Sequence, residues 1–290
     1  MSKNDPVITL RQVEQRAKHR RDRSTDDIHL QGSDEPQQLS LLCEWEDQER
    51  ISPNTIIRSA LFGAMMRGAR ERMHEEVLAS WSGVTIRYSG EALTQSDADV
   101  WMTALNLARE RRIGDRVEFS LYEFLKTLNR TNGSSDRRWL KDTLKRLQQA
   151  TIEIETQKFI YSGQLIGAFI YDKENQRYYL ELNREIGALF DDQDYTKILW
   201  EDRDKLSSPL AKYLHLYCCS HRATRERPHR ISIDKIHALS RSKEKRLSNF
   251  RLRLKNAMEQ LHALGIIDEW AIEQNVLQFA KPESYPLKTP

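Results

Sequence analysis

Between Arg241 and Leu264 the chain carries Lys243, Lys245, Arg246, Asn249, Arg251, Arg253 and Lys255. These guanidinium, ammonium and amide groups hydrogen-bond phosphate oxygens and base edges. Arg246, Asn249 and Arg253 recur at helical spacing on one side. There an arginine can pair with guanine, or an asparagine with adenine, through two hydrogen bonds. Lys243 and Lys245 precede them, and Arg251 and Lys255 lie on the flanks, positions that suit phosphates, which set a protein's register on a duplex without reading it. An earlier stretch repeats the theme, with Arg137, Arg138, Lys141 and Lys145 on the outward side of another helix. The chemistry on offer is the binding of a polyanion.

Residue patterns for catalysis are missing. No GxxxxGK[ST] cradle for phosphates occurs, nor GxSxG or HExxH. A nicking enzyme would need a tyrosine nucleophile and two histidines flanking one apolar residue to hold a metal. None of the histidines at 19, 29, 74, 215, 221, 229, 237 and 262 has that spacing, and Tyr178-Tyr179 reads as part of a strand. Asp191-Asp192-Gln193-Asp194 and Glu201-Asp202-Arg203-Asp204 could hold a divalent cation, but no glycine-bent loop or histidine accompanies them, so a solvated connection is the plainer reading. Cys218 and Cys219 are adjacent and Cys43 stands alone, which gives neither a disulfide framework nor zinc spacing. We expect no enzyme activity, no metal and no cofactor.

The elements that must carry the cations follow from apolar spacing. Leu247, Phe250, Leu254, Met258, Leu261 and Leu264 recur at three and four residues, the signature of a helix with one buried face. Upstream, Ile231 to Leu239 reads as a shorter helix with Ser232 as N-cap and Ile233, Ile236 and Leu239 inward, so a tight turn joins two helices. The pattern occurs twice. Phe119 to Phe124 matches Ile231 to Ile236 in apolar spacing and capping serine, and Leu140, Leu144, Leu147, Ala150 and Ile152 precede Leu254, Met258, Leu261, Leu264 and Ile266 by a constant 114 positions. A period that long indicates duplicated domains. Each second helix runs into strands: 151–155, 159–161, 165–171 and 178–182 in the first copy, 266–272 and 276–279 in the second, with a turn at Gln274-Asn275. The expected fold is α+β, two tandem winged-helix domains over 51–190 and 191–290, the second being the main reading domain. A flexible tail, 1–50, precedes them, and the last ten residues are a frayed end. Val84 to Gly90 reads as a strand, 97–109 as a helix, 55–70 and 75–81 as irregular, and Ser208-Pro209 as a helix start.

Charge agrees with this plan. The chain of 290 residues has a formal net charge of +3 with 31% charged and 39% apolar residues. From His221 to His262 it holds twelve Lys or Arg against four acids, leaving the remainder net negative. A basic region within an acidic remainder is an oriented polyanion site. No apolar run reaches the ~18 residues of a membrane span and no secretory signal opens the chain, so a cytoplasmic location without membrane contact is expected. In the tail, Gln38-Leu39-Ser40-Leu41-Leu42 is an apolar island in polar sequence, the form of a short docking peptide. It resembles the pentapeptide that binds the bacterial sliding clamp through Gln38, Leu39, Leu41 and Leu42, with Leu42 where phenylalanine is usual.

The chain as a whole resembles the TrfA replication initiators of broad-host-range bacterial plasmids. The resemblance lies in Arg58 to Phe62, in Val84 to Gly90 leading to Val100-Trp101, in Tyr195-Thr196-Lys197 with Trp200-Glu201, in Lys205-Leu206-Ser207 and in Ser220-His221-Arg222. It spans about residues 51–270, in order, and the family also carries a clamp-type pentapeptide near its N-terminus. It implies binding to direct repeats (iterons) of double-stranded DNA at a plasmid origin, opening of an adjacent AT-rich segment with single-stranded DNA contact, and recruitment of the sliding clamp, the host initiator and the replicative helicase. It further implies a monomer as the origin-binding form, with dimerisation limiting copy number. A double winged-helix transcriptional repressor is the alternative. An RNA-binding protein fits less well, since no RNP-type aromatic strand is present.

Overall fold

The computed structural model describes residues 45–285 apart from 66, 67, 69, 82, 112, 113, 176 and 284. In order, the elements are β1 (Glu49–Pro53), α1 (Asn54–Ile57), β2 (Phe62–Gly63), β3 (Arg72–Leu78), β4 (Thr85–Glu91), β5 (Leu93–Thr94), α2 (Gln95–Leu107), β6 (Arg116–Phe119), α3 (Leu121–Thr127), α4 (Ser134–Gln149), β7 (Thr151–Glu155), β8 (Ile160–Gly163), β9 (Ile166–Asp172) and β10 (Arg177–Leu182). A 3-10 segment, Arg184–Gln193, leads to β11 (Tyr195–Leu199), α5 (Trp200–Lys205), α6 (Pro209–Cys219), β12 (His229–Ser232), α7 (Ile233–Leu239), α8 (Leu247–Ala263), β13 (Glu269–Glu273) and β14 (Val276–Ala280). The architecture is α+β.

Two three-stranded antiparallel sheets share one plan. β6-β10-β9 closes around the pair α3 and α4, and β12-β14-β13 around α7 and α8. In both, a strand enters a serine-capped helix, a turn leads to a longer helix, and a hairpin returns to the first strand. The local chemistry is the same in each. Ser120 accepts from the Glu123 amide at 3.1 Å while Glu123 accepts from the Ser120 amide at 2.8 Å, and Ser232 accepts from the Lys235 amide at 3.2 Å. A cap of this kind stabilises a helix start by about 1 kcal/mol. Leu140, Leu144 and Leu147 of α4, and Phe250, Leu254, Met258 and Leu261 of α8, are fully buried. Each such side chain contributes roughly 1.5–3 kcal/mol on leaving water.

Several expectations need correction. The strands after α4 do not all belong to its wing: β7 and β8 continue the separate sheet β3-β4-β7-β8, and only β9 and β10 join β6, β10 pairing with both. The stretch 75–81, read as irregular, contributes its first four residues to β3, whose register slips between Met73 and Glu76 where Glu75 takes φ 51°. That bulge destroys the two-residue alternation a strand should show. The tail does not extend to 50, since Trp45 is buried and donates from its indole N–H to Asn106 Oδ1 at 2.8 Å, and β1 begins at Glu49. Within the segment read as a frayed end, Lys281 and Tyr285 are held by hydrogen bonds. Lys281 Nζ donates to the Cys219 carbonyl at 3.1 Å and the Tyr285 hydroxyl to Asp202 at 3.2 Å.

The expected boundary near 190 is bridged twice. β1 pairs antiparallel with β11 along its whole length, Ile51 opposite Lys197. Beside it, the fully buried Arg203 of α5 reaches α2, donating to Asp99 Oδ1 at 2.5 Å and to Gln95 Oε1 at 2.9 Å, while Lys212 Nζ of α6 takes Asp99 Oδ2 at 2.8 Å. Burial alone would raise the Asp99 carboxyl, but Arg203 and Lys212 outweigh it and hold it below the usual carboxylate range.

Candidate nucleic-acid interface

The turn before α8 sets where its cations stand. α7 ends at Leu239, Arg241 takes the left-handed conformation at φ 48°, and the His237 ring nitrogen Nε2 lies 2.9 Å from the Glu244 carbonyl. His237 also packs edge-on against Phe250 with ring centroids 4.7 Å apart, locking α7 to α8. The helix therefore starts at Leu247, later than the run from Arg241 suggests. Lys243 and Lys245 belong to the turn and Arg246 occupies the N-cap, without a side-chain cap and with no acid in the first turn. A cation at the positive end of a helix dipole is locally unfavourable. Such departures from local rules concentrate at functional sites.

Lys243, Lys245, Arg246, Asn249, Arg253 and Lys255 are all exposed. Two acids organise them. Glu244 accepts from Asn249 Nδ2 at 3.3 Å and sits 3.4 Å from Arg253, and Glu71 lies 3.8 Å from Lys243 and 3.9 Å from Arg241. Arg251, expected on phosphates, is engaged within the chain. Half-buried, it donates to the Gln274 carbonyl at 2.9 Å and to Asn275 Oδ1 at 3.2 Å, so its guanidinium ties the helix to the turn of the β13–β14 hairpin. Asn275 is itself bonded to Asp234 of α7.

In the first unit Arg137, Arg138, Lys141 and Lys145 are exposed on α4. Arg137 donates to Asn132 Oδ1 at 2.8 Å, and Arg130 lies 3.6 Å from the centre of the Trp139 ring while bonding Asp136 at 2.7 Å. Hydrogen bonds from Thr131 and Arg130 hold the Asp136 carboxyl below its usual value. Lys141 Nζ is 5.6 Å from the Tyr178 ring and 5.8 Å from the Tyr171 ring, so the wing steadies this cation from behind.

Two side chains escaped the sequence reading: Leu252, 62% exposed, and Asn256, also exposed. Their signal in the sequence is position, since both lie on the side of α8 away from its buried stripe. Gln38, Leu39, Leu41 and Leu42 fall outside the described residues. Among those residues no cluster of three or more His, Cys, Asp or Glu could hold a metal, and no helix is long and apolar enough to cross a membrane. The acidic groups in question are used structurally: Asp194 accepts from Asn54 at 2.7 Å, Asp204 from Asn129 at 2.6 Å, and Glu201 pairs with Lys205 at 2.8 Å.

Comparison with known proteins follows from this geometry. A model of the family described as "TrfA protein" matches residues 24–281. The plasmid replication initiator protein TrfA of Escherichia coli is 29% identical over 241 residues, which is 80% of this chain and 62% of that protein; the chain thus spans less than two thirds of its relative's length. Among solved structures, domains 2–3 of RctB are similar at a TM-score of 0.51 and 12% identity, over 79% of this chain and 97% of that one. The Pi initiator protein in complex with iteron DNA is similar at 0.52 and 12% identity, over 83% and 100%. At these identities the likeness is one of fold.

Proposed function

Because this chain belongs to the TrfA family, we propose that it is a plasmid replication initiator that binds iterons, direct repeats at an origin of replication, and acts by binding rather than by a catalytic residue of its own. The observation that carries this is the doubled unit: two serine-capped helix pairs, each backed by a three-stranded sheet of the same order and each turning a cationic second helix to solvent. We take the units as tandem winged-helix domains, over about 51–190 and 191–290. Arg246, Asn249 and Arg253 meet base edges in the major groove, with Lys243, Lys245 and Lys255 on phosphates. Arg137, Arg138, Lys141 and Lys145 serve the first domain in the same way. Two heads on one chain make the second contact nearly intramolecular, so a long site is held more tightly than either half-site.

The protein then works in the cytoplasm, helps open an adjacent AT-rich segment through the deformation energy of bent DNA, and brings in the host initiator and helicase. Gln38, Leu39, Leu41 and Leu42 dock on the sliding clamp. The monomer is the origin-binding form and dimerisation restrains copy number. A gel shift with duplex from the origin of the plasmid encoding the chain tests the central statement: that duplex should shift at concentrations where a scrambled one does not, and equal shifts reject it. A pull-down with purified clamp tests the recruitment step, and Leu41→Ala should abolish capture while leaving the gel shift intact. Capture unchanged by Leu41→Ala removes the pentapeptide from the mechanism.

A further inference from the structure

The buried stripe of α8 runs through Phe250, Leu254, Ala257 and Leu261. At 3.6 residues per turn the opposite side runs through Ser248, Leu252, Asn256 and Glu259, with Asn249 at its edge. All five are exposed, and over the N-terminal half of the helix, as far as Asn256, none of them is charged. The cations stand to either side of them, Arg246 and Arg253 along one flank and Lys255 on the other. From Arg241 to Asn256 the chain has seven Lys or Arg and one acid, yet the ridge that projects farthest there is neutral, Glu259 following it one turn later. α4 is charged on that side from its start. Opposite its buried Leu140, Leu144 and Leu147 stand Arg138, Asp142, Lys145 and Gln149, a mostly charged ridge.

Leu252 is 62% exposed in the middle of a strongly cationic surface. Its apolar area is open to a ligand, and covering it would be favourable. Charge complementarity names the ligand, because flanking cations match the two phosphate rails of a duplex. The floor between those rails, in the major groove, offers one large apolar group, the thymine methyl. Asparagine one turn either side of a leucine adds the partner of adenine, whose N6 and N7 an amide engages with two hydrogen bonds.

We propose that Asn249, Leu252 and Asn256 form the base-reading ridge of the second domain and select a segment of adenine–thymine pairs, Leu252 covering thymine methyl groups. Arg246 and Arg253 read from its edge and Lys255 holds the backbone. This assignment rests on the reading of the chain as an iteron-binding protein. It adds two residues, Leu252 and Asn256, and a sequence class. Glu244 takes a positioning role, since through Asn249 and Arg253 it presets two side chains at the ridge before DNA arrives.

The test uses the full chain and duplexes carrying the repeats of its own plasmid, made with thymine or with deoxyuridine, which lacks the methyl group. Wild type should lose about fourfold in affinity for each methyl covered when uracil replaces thymine. Leu252→Ala should bind the thymine duplex more weakly and be indifferent to the replacement, and Asn256→Ala should lose discrimination at one adenine while keeping its sensitivity to uracil. Both side chains are exposed, so circular dichroism of the variants should match wild type. Wild type holding both duplexes equally, or Leu252→Ala retaining full sensitivity to uracil, overturns the ridge while leaving iteron binding in place. Wild type holding the repeats no tighter than random duplex overturns the proposed function and the ridge with it.

Discussion

Arg253 and Lys245 are both exposed cations near the start of α8, and removing each should weaken DNA binding in a different way. Arg253 lies 3.4 Å from Glu244 and its side chain is 57% exposed, so the pair adds only about 0–1 kcal/mol to the free protein, and Arg253→Ala should fold normally. In the proposed complex the guanidinium would exchange this partner for a base edge, a contact worth roughly 1–3 kcal/mol of discrimination. In that complex Lys245 would meet a phosphate from the turn. Each phosphate neutralised contributes about 0.9 to the slope of log affinity against log salt, so between 50 and 200 mM salt one such contact accounts for a loss of about 3.5-fold. Fluorescence anisotropy on an iteron duplex and a scrambled duplex, at several salt concentrations across that range, separates the two. Arg253→Ala should lose about tenfold or more on the iteron and little on the scrambled duplex. Lys245→Ala should lose equally on both and flatten the salt slope by about one unit. Equal losses on both duplexes for both variants would refute the division between reading and positioning cations.

Two further outcomes concern the body that carries the heads. Asp99→Asn leaves Arg203 fully buried without its counter-charge, and should destabilise the chain by about 3–5 kcal/mol in urea unfolding. Because the folded Asp99 carboxyl lies below its ordinary value, its contribution is present at neutral pH and disappears as pH falls through the acid range; a variant as stable as wild type at pH 7 would show the junction to be dispensable. His221 and His229 pack together with ring centroids 3.9 Å apart and planes tilted by 44°, beside Trp81 and Tyr217. Burial lowers His221 to about 2 and His229 to about 4. An unfolded histidine takes up a proton below about pH 6.5 and the folded ones do not, so Tm should fall between pH 6.5 and 4, and less steeply in His229→Gln. Identical Tm profiles for variant and wild type would place the acid sensitivity elsewhere.

The helix pairs were legible because their evidence is local. Ser120 and Ser232 stand at N-caps, and apolar residues three and four apart mark each buried face. What was illegible depended on residues far apart in the chain. Nothing near Ile51 announces that its strand pairs with Lys197, and nothing near Arg203 announces Asp99. β3 was hidden by its bulge, and the sorting of β7 and β8 into another sheet depends on β4, more than sixty residues earlier. At the site, cations were visible by type and Leu252 by its place opposite the buried stripe, but the engagement of Arg251 with the hairpin turn appears only when the helix is set against its neighbours.

The pairing of β1 with β11 has a practical consequence for anyone dissecting this protein. A fragment that stops at residue 190 keeps Ile51 and loses the strand that covers it, and one that starts at 191 presents Ile198 with nothing alongside. Exchange of reading heads between relatives therefore has to transfer residues 49–53 together with 195–199. Swaps made at the apparent join should yield insoluble halves, whereas grafts that respect this lacing should remain whole.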